Sequence, residues 1–188
     1  MRTLLAALLF SVFPVPLSAQ PPAREQPEAL KSLDWMVGSW EGTSWIEFAP
    51  GQRRTNNSLE TVQSKVGGAV LLIEGFHKGK TPGQDGKEVE VTTHDSLSML
   101  LYDGKAKRNR FVAYSARQGY GDFEAKLIDG GWQWETASPA GKLRFTITHT
   151  DKDEWFESGE ASEDGKSWRK FFEMTLHRVK SRSPISFR

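Results

Sequence analysis

From Trp40 onward, polar and apolar residues alternate with a period of two, and turn residues interrupt the pattern at short intervals. Trp40 to Phe48 forms the first run, with Trp40, Ile46 and Phe48 on one face against Glu41, Thr43 and Glu47, and Pro50-Gly51 closes it. A more polar run covers Ser58 to Val66, Gly67-Gly68 turns into Ala69 to His77, and Lys78 to Lys87 reads as a polar loop. The later runs are Ser96 to Tyr102, Arg110 to Ala116, Asp122 to Ile128, Trp132 to Ala137, Lys142 to Thr150, Glu154 to Ala161 and Trp168 to Val179. Asp103-Gly104, Asp129-Gly130-Gly131, Ala140-Gly141 and Asp164-Gly165 supply turn chemistry between most of them.

That makes ten strands, with connections too short for crossover helices. The fold class is therefore all-β: an up-and-down antiparallel β-barrel of about ten strands. Alternation assigns the inner face. It holds Phe123, Ala125 and Leu127; then Trp132 and Trp134; then Leu143, Phe145, Ile147 and His149. On the last strand it holds Trp168, Phe172, Met174, Leu176 and Arg178, while Glu173, Thr175 and His177 face away. Before the strands, Pro27 to Val37 repeats Leu30, Leu33 and Val37 at helical spacing. It reads as a short N-terminal helix, stopped by Gly38, that closes one end of the barrel.

The first 19 residues have a different pattern. Arg2 precedes an apolar run from Leu4 to Phe13, then Pro14, Pro16 and a terminal Ser18-Ala19. This reads as a signal peptide at residues 1–19, its apolar run too short to anchor in a bilayer. The mature protein is thus expected to be exported, periplasmic or secreted. Residues 20–26 are a Pro-rich lead-in, 27–180 a single domain and 181–188 a C-terminal tail.

Charge and composition narrow the chemistry. Lys plus Arg number 25 and Asp plus Glu 24, and setting Arg2 aside leaves 24 against 24. A neutral domain gives no electrostatic case for nucleic acid or an anionic membrane. There is no Cys, which excludes disulfides, thiolate nucleophiles and Cys-based metal sites. No G-x-S-x-G elbow, P-loop, H-E-x-x-H or G-x-G-x-x-G is present, so no enzyme class is indicated. No two of the four histidines have a local metal-ligating spacing, and no metal is expected. His149 is the cavity candidate by parity, His94 in its polar stretch is expected to be exposed, and the facing of His77 is open.

Gly38-Ser39-Trp40 at the first strand and Arg178 at the end of the last resemble the calycin barrels, the lipocalins and their relatives. In those proteins a Gly-x-Trp opens strand one, and a basic residue of the last strand stacks over the Trp. The resemblance implies a closing pair of Trp40 and Arg178, and a guanidinium over an indole contributes roughly 0.5–2 kcal/mol. LDWMVGSWEG and SEDGKSWRKFFEMTLHRV also resemble an uncharacterised bacterial family of exported lipocalin-like domains, over Leu33 to Val179. The strand count is similar to nitrobindins, barrels that bind haem through a late-strand histidine and isomerise peroxynitrite. His177, however, is expected to point outward.

The barrel is thus expected to bind a small hydrophobic or amphipathic ligand non-covalently, without a cofactor. Phe48, Phe123, Trp132, Trp134, Phe145, His149, Phe172 and Met174 are the expected cavity lining, with His149 and Tyr114 as polar rim groups. The alternatives are a haem-binding or enzymatic barrel, and a filled barrel that acts as an interaction domain with Trp45 on its outer face.

Overall fold

The computed structural model describes residues 28–47, 49 and 51–180. The expected signal peptide, lead-in and tail, and Phe48, lie outside the described residues. Ten strands are present: β1 (Gly38–Ile46), β2 (Arg54–Lys65), β3 (Val70–Pro82), β4 (Glu88–Asp103), β5 (Arg108–Ser115), β6 (Gly119–Ile128), β7 (Gly131–Ser138), β8 (Gly141–His149), β9 (Glu154–Ser162) and β10 (Arg169–Val179). Each pairs antiparallel with its neighbour in sequence, and β1 pairs with β10 to close the barrel. Closure leaves no free sheet edge along the seam.

Three expectations need correction. The polar loop at Lys78 to Lys87 is mostly strand: β3 and β4 continue as a two-stranded ribbon that pairs Lys80 with Glu90 and Pro82 with Glu88. Ion pairs Lys78–Glu90 and Lys80–Glu88 tie it across, which a loop reading of charged residues misses. The continuous helix over 27–37 does not form. One α-turn, α1 (Glu28–Lys31), is followed by a separate 3-10 turn at Asp34–Met36. Trp168 does not share the inner face. A bulge between Lys170 and Phe172 resets the alternation, and the Arg144 guanidinium covers the Trp168 ring at 3.9 Å.

Leu30, Leu33 and Met36 from the N-terminal segment are fully buried in the main core. Their partners come from one end of the barrel, where odd strands begin and even strands end. They include Trp40, Val62, Leu71, Leu100, Trp132, Ile147, Trp155 and Leu176. Two side chains tie this plug to the seam. The Trp40 indole N–H donates to the Met36 carbonyl at 2.8 Å. The Arg178 guanidinium lies 4.2 Å from the Trp40 ring and donates to the carbonyls of Val37 (2.7 Å) and Trp35 (2.6 Å). Gly38 permits the approach: its φ is +138°, and a Cβ there would lie 2.7 Å from Arg178 Nη1.

The wall is thinnest between β6 and β7, which pair only from Ala125–Trp134 to Ile128–Gly131. Extending that register by one step would set Glu124 opposite Glu135, a like-charge pair that opposes zipping. A cleft of about 180 Å³ lies there, lined by Glu124, Lys126, Gln133, Trp134 and Glu135.

Two outcomes test this architecture. Trp40→Ala should cost about 3–5 kcal/mol in denaturant unfolding, and Arg178→Met less. In a double-mutant cycle the two positions should couple by roughly 0.5 kcal/mol or more, whereas additive losses would show that the stacked pair stores nothing. Glu135→Gln, which removes the repulsion without setting a second cation opposite Arg144, should stabilise the barrel by about 0.2–1 kcal/mol, and a loss of stability would refute charge repulsion as the cause of the split.

Candidate functional site

With one end plugged, the remaining lumen is divided by chemistry. Along β5 to β8 the inner face is aromatic, because each strand places one or two rings at the same depth. Phe111 lies 5.2 Å and Phe123 4.7 Å from Trp134, and Trp134 stacks on Phe145 at 4.5 Å and 11°. Phe145 continues the row to Phe171 at 5.7 Å and Phe172 at 6.2 Å. Gly159 on the intervening strand leaves the gap these rings occupy, since a Cβ there would meet Phe172, Phe145 and Phe171 within 3.1 Å. Phe111, Trp134, Phe145 and Phe172 face inward yet remain only partly buried.

Opposite this arc, β1 to β4 present polar side chains. Ser58 donates to Ser44 Oγ at 2.9 Å, and Thr93 donates to Asn56 Oδ1 at 2.9 Å. His77 Nε2 lies 3.0 Å from Glu60 Oε1, with both side chains buried. Gly75 makes room for this carboxyl group, because a Cβ there would fall 2.8 Å from Glu60 Oε1 and 2.9 Å from Ser96 Oγ. His94 Nε2 bonds Ser96 Oγ at 2.8 Å, and its ring centre is 4.8 Å from that of His77. His77 and His94 are direct partners in the β3–β4 ladder, which sets these two imidazoles side by side on the inner face. From β9, Glu157 shares the inner face with Trp155 and Gly159 and retains partial exposure.

Burial governs the protonation of this network. It pushes the Glu60 carboxyl up to about 8 and outweighs His94, which acts in the opposite direction. Burial, reinforced by the charge of Glu60, also pushes Glu157 up to about 8. His77 is held down to about 4 by burial, and His94 is lowered by burial and by His77. At neutral pH the site is therefore a set of neutral imidazoles and largely protonated acids. Among the described residues no three His, Asp or Glu side chains are arranged to hold a metal ion.

The expected lining is brought together only in part. Phe123, Trp134, Phe145 and Phe172 meet in the aromatic arc. Trp132 and Met174 are instead sealed in the core, at 2% and 1% exposure, so they support the arc rather than line the lumen. His149 is not in the lumen: it stacks on Trp35 at 4.8 Å and bonds Asp153 at 2.7 Å, at the plugged end. Tyr114 is 62% exposed and is not a rim group of the lumen. His94, expected to be exposed, is partly buried in the network, and His77 faces inward. Glu60, Glu157, Ser96, Phe111 and Phe171 were not anticipated. The signal for Glu60 was its shared parity with Asn56, Ser58 and Val62 on a strand that reads as merely polar.

The acids should make stability fall with rising pH. Between about pH 6.5 and 8 the folded chain holds protons on Glu60 and Glu157 that the unfolded chain, with carboxyls near 4.5, has already lost. The unfolding free energy should drop there, by on the order of 1 kcal/mol per pH unit for each acid. Below about pH 6.5 His77 works the other way, since the unfolded chain binds the proton that His77 refuses until about pH 4. Glu157→Gln should flatten the decline above pH 6.5 in chemical denaturation, and a wild-type profile that is already flat would mean that the acids are solvated.

No family model matches the chain, and no curated protein matches it either. Among solved structures, 17 chains match. The chain is similar to Rv2717c from M. tuberculosis, with a TM-score of 0.54 and 16% identity over 81% of this chain and 98% of that one. It is also similar to the S-type phycobiliprotein lyase CPES from Guillardia theta, with a TM-score of 0.52 and 15% identity over 85% and 96% of the two chains. At these identities the likeness is one of fold, a closed lipocalin-like barrel of ten antiparallel strands.

Proposed function

We propose that this protein is an exported carrier that binds a small amphipathic molecule, non-covalently, in the open half of its barrel. The observation that carries this reading is the two-sided lumen: a row of partly buried rings from Phe111 to Phe172 faces the hydrogen-bonded groups of β1 to β4. Covering the rings supplies affinity at about 25 cal/mol per Å² of apolar surface removed from water. The polar arc then fixes orientation, because a ligand group that mismatches it leaves buried polar atoms unpaired. The likeness to a phycobiliprotein lyase supports a ligand-binding reading at the level of fold.

A nitrobindin-like haem protein fits less well. Late-strand ligation needs an inward histidine, but the His177 side chain is 66% exposed on the outer face, and His149 is capped by Trp35. The two lumen histidines already have Nε2 engaged, with Glu60 and Ser96. A second reading, an interaction domain, has one observation in its favour. Leu97 pairs with Tyr114 and Tyr114 with Tyr120, which forms an exposed apolar row across β4 to β6. Trp45, by contrast, is covered by Arg53 at 3.7 Å and is a poor anchor.

A panel of lipids, isoprenoids and aromatic compounds should contain members that saturate a change in tryptophan fluorescence at one site. Trp134→Phe should remove most of that signal, because Trp134 is the tryptophan in the aromatic arc. Phe145→Leu should weaken binding with only a modest loss of stability, as expected for a lumen-facing ring. No saturable response, together with a loss of several kcal/mol in Phe145→Leu, would show a filled barrel and refute the carrier reading.

A further inference from the structure

We propose that the lumen selects ligands that carry a protonated amine on an apolar or aromatic body, and that the ammonium group seats between Glu60 and Glu157. The inference rests on the carrier reading above and deepens it by naming the charge of the ligand.

The ionisable groups that face the lumen are unbalanced, two acids with no strong base beside them. Glu60 enters from β2, where it meets the inward His77, and Glu157 enters from β9, where it pairs with the buried Met174, so both carboxyls belong to the inner face; the charge of Glu60 raises Glu157. Among the described residues, no Lys or Arg forms an ion pair with either of them. Arg178, the basic residue on the inner face of β10, is committed elsewhere, to the Trp40 ring and the carbonyls of Val37 and Trp35. His77 and His94 are held neutral by burial and supply no compensating cation. A fatty-acid carboxylate would therefore meet two acids and no counter-charge, which is costly in a desolvated site. An ammonium group supplies the charge that the site lacks.

A second feature points the same way. Trp155 is 2% exposed, and its buried indole N–H makes no well-formed hydrogen bond. It shares the inner face with Glu157 two residues on, and it favours the ionised form of that acid. An ionised Glu157 would thus be held by a buried donor on one side and the ligand cation on the other. The aromatic arc adds ring faces to which a cation is also attracted.

Uptake would exchange protons for the cation. Each carboxyl that pairs with the ammonium group gives its proton to solvent, and no covalent bond is made or broken. Glu60 faces His77 on β3, His94 and Ser96 on β4, and Glu157 on β9; Glu157 faces Glu60 and Trp155, while Asp95 and Arg117 act on His94. Neither histidine changes charge above about pH 6.5, so the two acids govern the response there. Amine affinity should rise between about pH 6.5 and 8.

The test is calorimetric titration of the mature protein with a matched set: naphthylethylamine, naphthylethanol and naphthylacetate. The amine should bind about tenfold or more tightly than the alcohol, and the acetate should bind most weakly. Protons should be released, read from the dependence of the heat on the buffer. Glu157→Gln, which keeps the shape and removes a charge, should fold at least as stably and erase the preference for the amine without abolishing alcohol binding. Equal binding of all three, or tightest binding of the acetate, would overturn the charge assignment while leaving the carrier reading intact. If none of the three binds and the broader panel is also silent, both fall together.

Discussion

A ten-stranded meander becomes a barrel only where its first and last strands meet, and here one guanidinium spans that junction. Arg178 at the end of β10 covers the indole of Trp40 on β1 and binds two carbonyls of the segment that precedes β1. Trp40 binds a third carbonyl, that of Met36. The first strand, the segment that leads into it and a last strand some 141 residues away are thus held by two side chains. The stem of Arg178 packs while its charge stays at the barrel end, an arrangement suited to a long amphipathic side chain. Gly38 is required for steric reasons, because a side chain there would collide with the guanidinium.

This plug sets where the interior can be soft. Leu30, Leu33 and Met36 bring apolar volume in from outside the sheet, so the core concentrates at one end of the barrel. Strands β1 to β4 reach the other end with Ser44, Asn56, Ser58, Glu60 and His77 buried instead of aliphatic side chains. Such groups are tolerated because they bond to one another, in the pairs Ser58–Ser44, Thr93–Asn56 and His77–Glu60. The division into a structural half and a polar half follows from the plug and the alternation together.

What the sequence revealed, and what it hid, follow from the same physics. Alternation on β6, β7 and β8 is strong because large rings face Glu, Lys and Gln, so Phe123, Trp134 and Phe145 were legible. The Gly-x-Trp and the final Arg made the closing pair legible too. Glu60, His77 and Glu157 were not, because a buried polar residue on a strand has the pattern of an exposed one until the barrel closes around it. His94 was hidden further because its partner became visible only with the β3–β4 register, which sets its ring beside that of His77. His149 had the right parity but the wrong height, at a strand end where Trp35 covers it. Parity gives the face and not the depth.

The lumen acids lower stability rather than add to it. A buried ionisable group with no cation lowers stability relative to an apolar residue of the same size. Phe145 and Met174, which face the same interior, show that this barrel can place apolar side chains there. Glycines widen the cost: Gly75 surrenders packing to admit Glu60, and Gly159 does the same for the rings. Two acids that share an otherwise neutral interior raise each other's energy whenever both ionise. The interior avoids that penalty by keeping its acids protonated, and a positive group between them would remove it.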